Sequence, residues 1–193
     1  MKRVVLLLAA MGVALAVGSG VALAAVEIGT GGHDVMKGTE DEDVIHGGGS
    51  WDVISGMGDD DVLYGDEGSD SIHGGSFDLD EIFDGRRMVP DGEDKIFGGD
   101  GSDCVWGGSE DDVLYGGAGS DFVGTYCLDF VMDTGNDTMY AGSGNDHVMA
   151  VEAPERYANL QERDVVFCGA GKDTVYYQKG VDRVFDCEKK NPR

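Results

Sequence analysis

Residues 94–123 read DKIFGGDGSDCVWGGSEDDVLYGGAGSDFV, and this stretch decides the fold. Its aspartates recur every nine residues, at Asp94, Asp103, Asp112 and Asp121. An apolar residue stands two positions after each of them, and a glycine-rich run precedes the next one. The stretch is therefore a series of nonapeptide units, in which we number the aspartate as position 6 and the apolar residue as position 8.

The same register extends in both directions along the chain. Position 6 is an aspartate at residues 34, 43, 52, 61, 70, 94, 103, 112, 121, 137, 146, 164, 173 and 182, and Asp80 lies one residue out of phase. Position 8 is apolar in every unit, from Met36 and Ile45 to Val175 and Val184. Such a period is far too regular to arise by chance, and it shows an internal repeat.

A single apolar residue in each nonapeptide is incompatible with the usual secondary-structure patterns. An amphipathic helix needs apolar spacings of three and four residues, and a long strand needs alternation. The pattern instead predicts a solenoid, in which each unit adds one short strand with an inward side chain and stacked units share a thin core.

Positions 1 to 5 form the turn of each unit, as in the Gly98-Gly99-Asp100-Gly101-Ser102 run before Asp103. Glycine adopts positive φ at little cost, which lets backbone carbonyls converge in a tight turn. The pattern resembles the G-G-x-G-x-D-x-U-x repeat of the RTX, or haemolysin-type, calcium-binding family, and the resemblance covers most of residues 29–185. It implies an all-β, right-handed parallel β-roll (a β-solenoid) with two nonapeptides in each coil.

The resemblance also implies rows of several Ca²⁺ ions between turns on the same edge of the roll, held by position-6 carboxylates and turn carbonyls. Every second repeat would then stack, so that Asp34, Asp52 and Asp70 share one edge and Asp43 and Asp61 share the other. The candidate metal ligands are Asp34, Asp43, Asp52, Asp61, Asp70, Asp94, Asp103, Asp112, Asp121, Asp137, Asp146 and Asp173, with Gly32, Gly68, Gly101, Gly119 and Gly144.

Position 4 departs from the family pattern in several units. Asp41, Ser50, Asp59, Asp78, Glu110 and Glu162 replace glycine there. Aspartate tolerates the left-handed region, so the aspartates disturb the turn least. Glu162 lies in a segment that barely resembles a turn, so no ion is expected near Asp164.

The charge of the chain supports a cation as its partner. With 38 acidic and 14 basic residues, the formal net charge is −24, and the chain has 33 glycines. Like charges and glycine both oppose compaction, and the acidity excludes nucleic acid as a partner. Ca²⁺ prefers carboxylate and carbonyl oxygens, so it would supply the missing positive charge.

The N-terminus is typical of a secretory signal peptide. Lys2 and Arg3 precede an apolar run to Val17, and a Gly18-Ser19-Gly20 break leads to Ala22-Leu23-Ala24. We expect cleavage after residue 24, a secreted β-roll domain over residues 25–193, and no membrane span once the signal is removed. The open alternative is an uncleaved membrane anchor, because this segment is long enough to span a bilayer.

Three interruptions of the register lie near residues 83–91, 124–134 and 150–163. Insertions in solenoids usually form surface loops, which is the simplest interpretation of all three. Arg86 and Arg87 form a paired basic spot in the first insertion, and they leave open a binding role toward an extracellular or envelope partner.

Four cysteines in an exported chain predict disulfides. Cys168 and Cys187 are 19 residues apart, close to one coil of 18, so they should lie on adjacent turns. Pairing of Cys104 with Cys127 would follow. A zinc site is the competing explanation, but the sequence contains no C-x-x-C pair.

The aspartates are better explained by the repeat than by catalysis, and the chain has neither H-E-x-x-H nor G-x-S-x-G. The sequence therefore predicts a secreted calcium-binding protein that folds on Ca²⁺ uptake and has no catalytic activity. The alternative is a calcium-dependent adhesion module whose insertions bind glycan or cell-envelope partners.

Overall fold

The computed structural model describes residues 25–75, 91–124, 134–150 and 162–192, and over these ranges the chain is all-β without a helix. The strands are β1 Val26–Ile28, β2 Val35–Lys37, β3 Val44–Gly49, β4 Val53–Ser55, β5 Val62–Glu67, β6 Ser71–His73, β7 Lys95–Asp100, β8 Cys104–Trp106, β9 Val113–Gly119, β10 Phe122–Val123, β11 Thr138–Gly144, β12 His147–Ala150, β13 Val165–Gly171, β14 Thr174–Tyr177, β15 Arg183–Phe185 and β16 Lys189–Pro192.

The strands form two eight-stranded parallel sheets. All odd-numbered strands stack in chain order in one sheet, and all even-numbered strands stack in the other. Two consecutive strands therefore make one coil, and each residue pairs with its equivalent in the next coil, as Leu63 does with Ile45 and Ile96. This arrangement confirms the predicted parallel β-roll.

The core lies between the two sheets and is made by position 8. From Ile45 to Val175, every described position-8 side chain is completely buried, while Met36 is 4% exposed. Position 1 also faces inward, and it is glycine in the described units up to Gly116 and Ala141, Ala150 and Cys168 in later ones. The thin core therefore follows directly from the nine-residue period.

The turns approach one another so closely that position 4 excludes a side chain at several coils. Gly101 has φ of 144°, and a Cβ at this residue would lie 1.4 Å from the carbonyl oxygen of Gly68 in the preceding coil. Three position-4 residues that are not glycine, Ser50, Asp59 and Glu110, also adopt positive φ. The turn conformation is thus kept even where the sequence departs from glycine.

We expect Gly101→Ala to destabilise the roll strongly, because the new methyl group would force adjacent coils apart. Gly180→Ala is the matched control, since Gly180 also has positive φ, at 88°, but has open space around its missing Cβ. The control should cost about 1–2 kcal/mol for backbone strain alone, and Gly101→Ala should cost clearly more. Thermal unfolding in saturating calcium measures both, and equal losses would contradict close stacking of the turns.

A column of rings covers the outer face of the odd-strand sheet. Position 9 of each odd strand from β3 to β15 contributes one ring, and neighbouring ring centroids are 4.3–5.0 Å apart in nearly parallel planes. The column consists of His46, Tyr64, Phe97, Tyr115, Tyr140, Phe167 and Phe185. These cross-strand contacts add stability outside the thin core.

The C-terminal disulfide prediction is confirmed. Cys168 and Cys187 are bonded, with their Cα atoms 5.1 Å apart, and they join β13 to the segment after β15 in the adjacent coil. Cys104 is also disulfide-bonded. Its proposed partner Cys127 lies outside the described residues.

The three insertions connect β6 to β7, β10 to β11 and β12 to β13. Each one leaves an even strand and enters an odd strand, so all three join the roll at the same edge. The signal segment 1–24, Arg86 and Arg87, and most of each insertion lie outside the described residues. In the ranges that the structure describes, no helix is long and apolar enough to cross a membrane.

Candidate metal centre

The position-6 residues form two rows, one along each edge of the roll. Row 1 precedes the even strands and contains Asp34, Asp52, Asp70, Asp103, Asp121, Asp146 and Asp173, followed by Glu188. Row 2 precedes the odd strands and contains Asp43, Asp61, Asp94, Asp112, Asp137, Asp164 and Asp182. The structure thus places all twelve candidate aspartates on the predicted edges, and both rows continue across the insertions.

A repeated hydrogen bond holds each row together. The backbone N–H of each aspartate donates to a carboxylate oxygen of the row member one coil further on, as from Asp52 to Asp70 Oδ1 at 2.8 Å. The same bond crosses the first insertion from Asp70 to Asp103, also at 2.8 Å. From the second member of each row onward, one carboxylate oxygen is therefore committed to the backbone of the preceding member.

The surroundings of the second carboxylate oxygen, Oδ2, differ from those of Oδ1 in most row members. Within the described ranges, Oδ2 is buried and has no hydrogen-bond partner in Asp52, Asp61, Asp70, Asp94, Asp103, Asp121, Asp146 and Asp173. A buried charged oxygen without a partner is strongly unfavourable, unless a cation neutralises it or the group takes up a proton. Regularly spaced, oxygen-only donors of this kind fit a hard divalent cation such as Ca²⁺.

Burial raises the pKa of several row carboxyls, and the charges of their neighbours add to the effect. The pKa of Asp94 rises to about 9, because burial is reinforced by the nearby carboxylates of Asp61 and Asp91. The pKa values of Asp61 and Asp103 rise to about 7, and those of Asp70 and Asp121 to about 6. Without a cation, the rows would therefore hold protons at pH values where free aspartate is ionised.

We expect the calcium-free chain to gain β-structure as the pH falls from 9 to 5. A carboxyl whose pKa is raised by folding supports folding at low pH, and this support is lost as the pH rises through the folded-state pKa, here from about 6 to about 9. Far-ultraviolet circular dichroism of metal-depleted chain across this range measures the change. A β-signal that falls on acidification would contradict the assignment of the raised values to the rows.

The glycines predicted as ligands lie on the row 1 edge. The carbonyl oxygens of Gly68, Gly101, Gly119 and Gly144 each face the Cα of position 4 in a neighbouring coil. Gly32 occupies the same position in the first turn, where its N–H donates to the hydroxyl of Thr30 at 3.2 Å. The structure brings these carbonyls to the row 1 edge, and their role as ligands stays a prediction.

A different carbonyl lies near Oδ2 in several turns. Asp52 Oδ2 and the carbonyl oxygen of Gly65 both lie within 2.9 Å of the point where a Cβ of Gly47 would be. The same arrangement recurs with Asp70 Oδ2 and the carbonyl oxygen of Gly98. These position-1 carbonyls were missed by the sequence analysis, although the frequent glycine at position 1 was their visible signal.

Four further acidic residues belong to this region. Asp164 and Asp182 continue row 2, and the register itself had marked them. Glu188 ends row 1 by accepting the N–H of Asp173 at 2.9 Å, but its spacing falls outside the nonapeptide period. Asp91 accepts the N–H and the hydroxyl of Ser109, and no repeat position predicts it.

Among the residues that the structure describes, no three His, Cys, Asp or Glu side chains are grouped to hold a metal ion. A family model for the RTX calcium-binding nonapeptide repeat matches the chain in four copies, at residues 28–63, 50–78, 91–123 and 133–150. These matches span more than half of the 193 residues. A search of curated proteins finds no match. The repeats of the matching family bind calcium, and the chain belongs to this family of RTX calcium-binding nonapeptide-repeat proteins.

Proposed function

We propose that this chain is a secreted protein that binds several Ca²⁺ ions along the two rows and folds as it takes them up. Each ion lies between consecutive coils of one edge, where position-6 carboxylates and turn carbonyls supply its ligands. The ions act as structural elements of the roll, and the chain has no catalytic activity of its own.

The observation that carries this proposal is the set of buried Oδ2 atoms without a hydrogen-bond partner among the described residues. A folded chain cannot keep many such charged atoms buried without compensation. Protonation would compensate Asp70 and Asp121, with pKa values of about 6, mainly at acidic pH, whereas calcium compensates these carboxylates at neutral pH.

The electrostatics of the rows favour a divalent cation as the neutralising group. The contact between His46 Nδ1 and Asp66 Oδ2, at 3.1 Å, lies on the outer face of the roll and does not involve a row carboxylate. Two carboxylates about 5 Å apart repel by roughly 1 kcal/mol at the dielectric constant of water, and by several times more near a protein surface. A cation between coils changes this repulsion into attraction.

The signal-like N-terminus and the disulfides support export from the cytoplasm. Disulfides persist mainly in oxidising compartments outside the cytoplasm. Calcium sites in extracellular modules are tuned to concentrations of about 10⁻⁴–10⁻³ M, so a secreted roll would find enough calcium to fill its rows.

Calorimetric titration tests the function, with Asp103→Asn as the informative variant. Asp103 is buried within row 1, and its Oδ1 accepts the N–H of Asp70. Asparagine keeps an oxygen for this hydrogen bond but loses the charge, so we expect the loss of at least one bound calcium ion and a lower thermal stability in calcium.

Asp100→Asn is the matched control, because Asp100 is exposed and lies outside both rows. It should bind as many calcium ions as the unmodified chain. No calcium uptake by the unmodified chain would refute the proposed function, and equal losses in the two variants would refute the assignment of the rows as its site.

A further inference from the structure

In three turns of the roll, the position-6 carboxylate accepts hydrogen bonds from groups of its own turn. They end at Asp34, Asp43 and Asp182, which are the first members of the two rows and the last member of row 2. In each of them, the backbone N–H of the position-2 residue donates to Oδ2 of the aspartate. The N–Oδ2 distance is 2.6 Å for Thr30, 2.5 Å for Thr39 and 2.5 Å for Gln178.

The two threonines add a second bond from their hydroxyls. Thr30 Oγ1 lies 2.8 Å from Asp34 Oδ2, and Thr39 Oγ1 lies 3.1 Å from Asp43 Oδ2. The same hydroxyls accept the position-4 N–H at 3.2 Å, from Gly32 and Asp41 respectively. The threonine hydroxyl thus links the aspartate carboxylate to the turn backbone and supplies part of the hydrogen bonding that Oδ2 needs.

Five of the turns with a described position-2 residue lack this closure. In three of them, position 2 is a glycine with positive φ, namely Gly48 with 101°, Gly99 with 113° and Gly117 with 115°. Met57 and Asp66 also adopt positive φ there, although they are not glycine. In these five turns, Oδ2 of the following aspartate is buried without a hydrogen-bond partner among the described residues. Thr30, Thr39 and Gln178 are outside the positive-φ set.

Among these eight turns, the backbone conformation at position 2 therefore separates two kinds. In the five turns with positive φ at position 2, the aspartate presents a bare Oδ2 that needs a cation. In the three turns without it, the position-2 N–H, together with the hydroxyl where threonine is present, already donates hydrogen bonds to Oδ2. An ion entering such a turn would have to replace these bonds, so its net gain in free energy would be smaller.

We propose that the turns ending at Asp34, Asp43 and Asp182 are closed by the chain itself and bind no calcium, so that the ions occupy only the turns between them. This inference rests on the proposed function and restricts its sites. The closed turns act as metal-independent ends of the two rows, and Thr30 and Thr39 are the residues that exclude the ion at the first two.

Counting bound calcium by native mass spectrometry tests this inference. Asp34→Asn and Asp43→Asn should retain the full number of ions, whereas Asp52→Asn and Asp61→Asn should each lose at least one. The pairs are matched, because each compares neighbouring members of the same row. If Asp34→Asn and Asp43→Asn lose as many ions as their partners, the closed-turn inference is wrong.

A gain of binding gives the second test. Thr39→Gly places a glycine directly after Gly38, which reproduces the Gly47-Gly48 and Gly98-Gly99 pairs of the open turns. We expect this variant to bind one more calcium ion than the unmodified chain, and an unchanged count would overturn the role of Thr39. An unmodified chain that binds no calcium would instead refute the proposed function, so the two failures are distinguishable.

Discussion

Removing calcium is expected to abolish most of the β-structure of this chain at neutral pH. The core has one large side chain in each nonapeptide, and the chain must also order the many glycines of its turns and bring its carboxylates into rows. Ordering glycine has a large entropic cost, and neighbouring carboxylates repel. Binding free energy from the ions should therefore supply much of the folding free energy.

Circular dichroism in excess chelator at pH 7.5, followed by titration with calcium, measures this effect. We expect a largely disordered spectrum that becomes β-rich as calcium is added. Magnesium at the same concentration is the control, because it requires near-ideal octahedral geometry and releases its water reluctantly, so it should restore little structure. A β-rich spectrum in chelator that calcium leaves unchanged would contradict the prediction.

The second large effect is expected at the C-terminal coils, which the Cys168–Cys187 disulfide joins. The bridge closes a loop with a sequence separation of 19. A loop of this size can stabilise by about 3 kcal/mol through the unfolded state. We expect the double variant Cys168→Ala and Cys187→Ser to lose stability on this scale, with the loss concentrated in β13 to β16.

Alanine suits the first position, because Ala141 and Ala150 already occupy the equivalent inward site in other coils. Hydrogen exchange in calcium should show faster exchange in β13 to β16 of the variant, while the strands from β3 to β9 keep their protection. Uniformly faster exchange along the roll would show that the bridge acts on the whole fold rather than on its end.

The period of the sequence was enough to predict a solenoid with a thin core, and the resemblance to the RTX family implied the two-repeat coil and the two rows. Because two nine-residue units make one coil, Asp52 stacks on Asp70 and Ile54 on Ile72. The predicted pairing of alternate repeats is present at every described step. The ligand roles of individual residues stay predictions.

Features that depend on a single turn could not be predicted in the same way. The closure of the first turns depends on whether Thr30 and Thr39 have positive φ, and the repeat register does not encode this. The end of row 1 at Glu188 breaks the period, because a longer side chain spans a shorter connection. The ring column was visible in principle, since alternate position-9 residues are aromatic, but it required knowing which repeats share a sheet.

The restriction of all three insertions to one edge has a consequence for how the sequence of this protein can evolve. The coil-to-coil step is 18 residues where no insertion occurs, and 33, 25 and 27 residues where one does. The sheets keep their register in each case, because pairing is set by the next coil and not by the length of the connection. New segments can therefore be acquired, lengthened or exchanged on the row 2 edge without moving a strand, while the uninterrupted turns of row 1 preserve the scaffold.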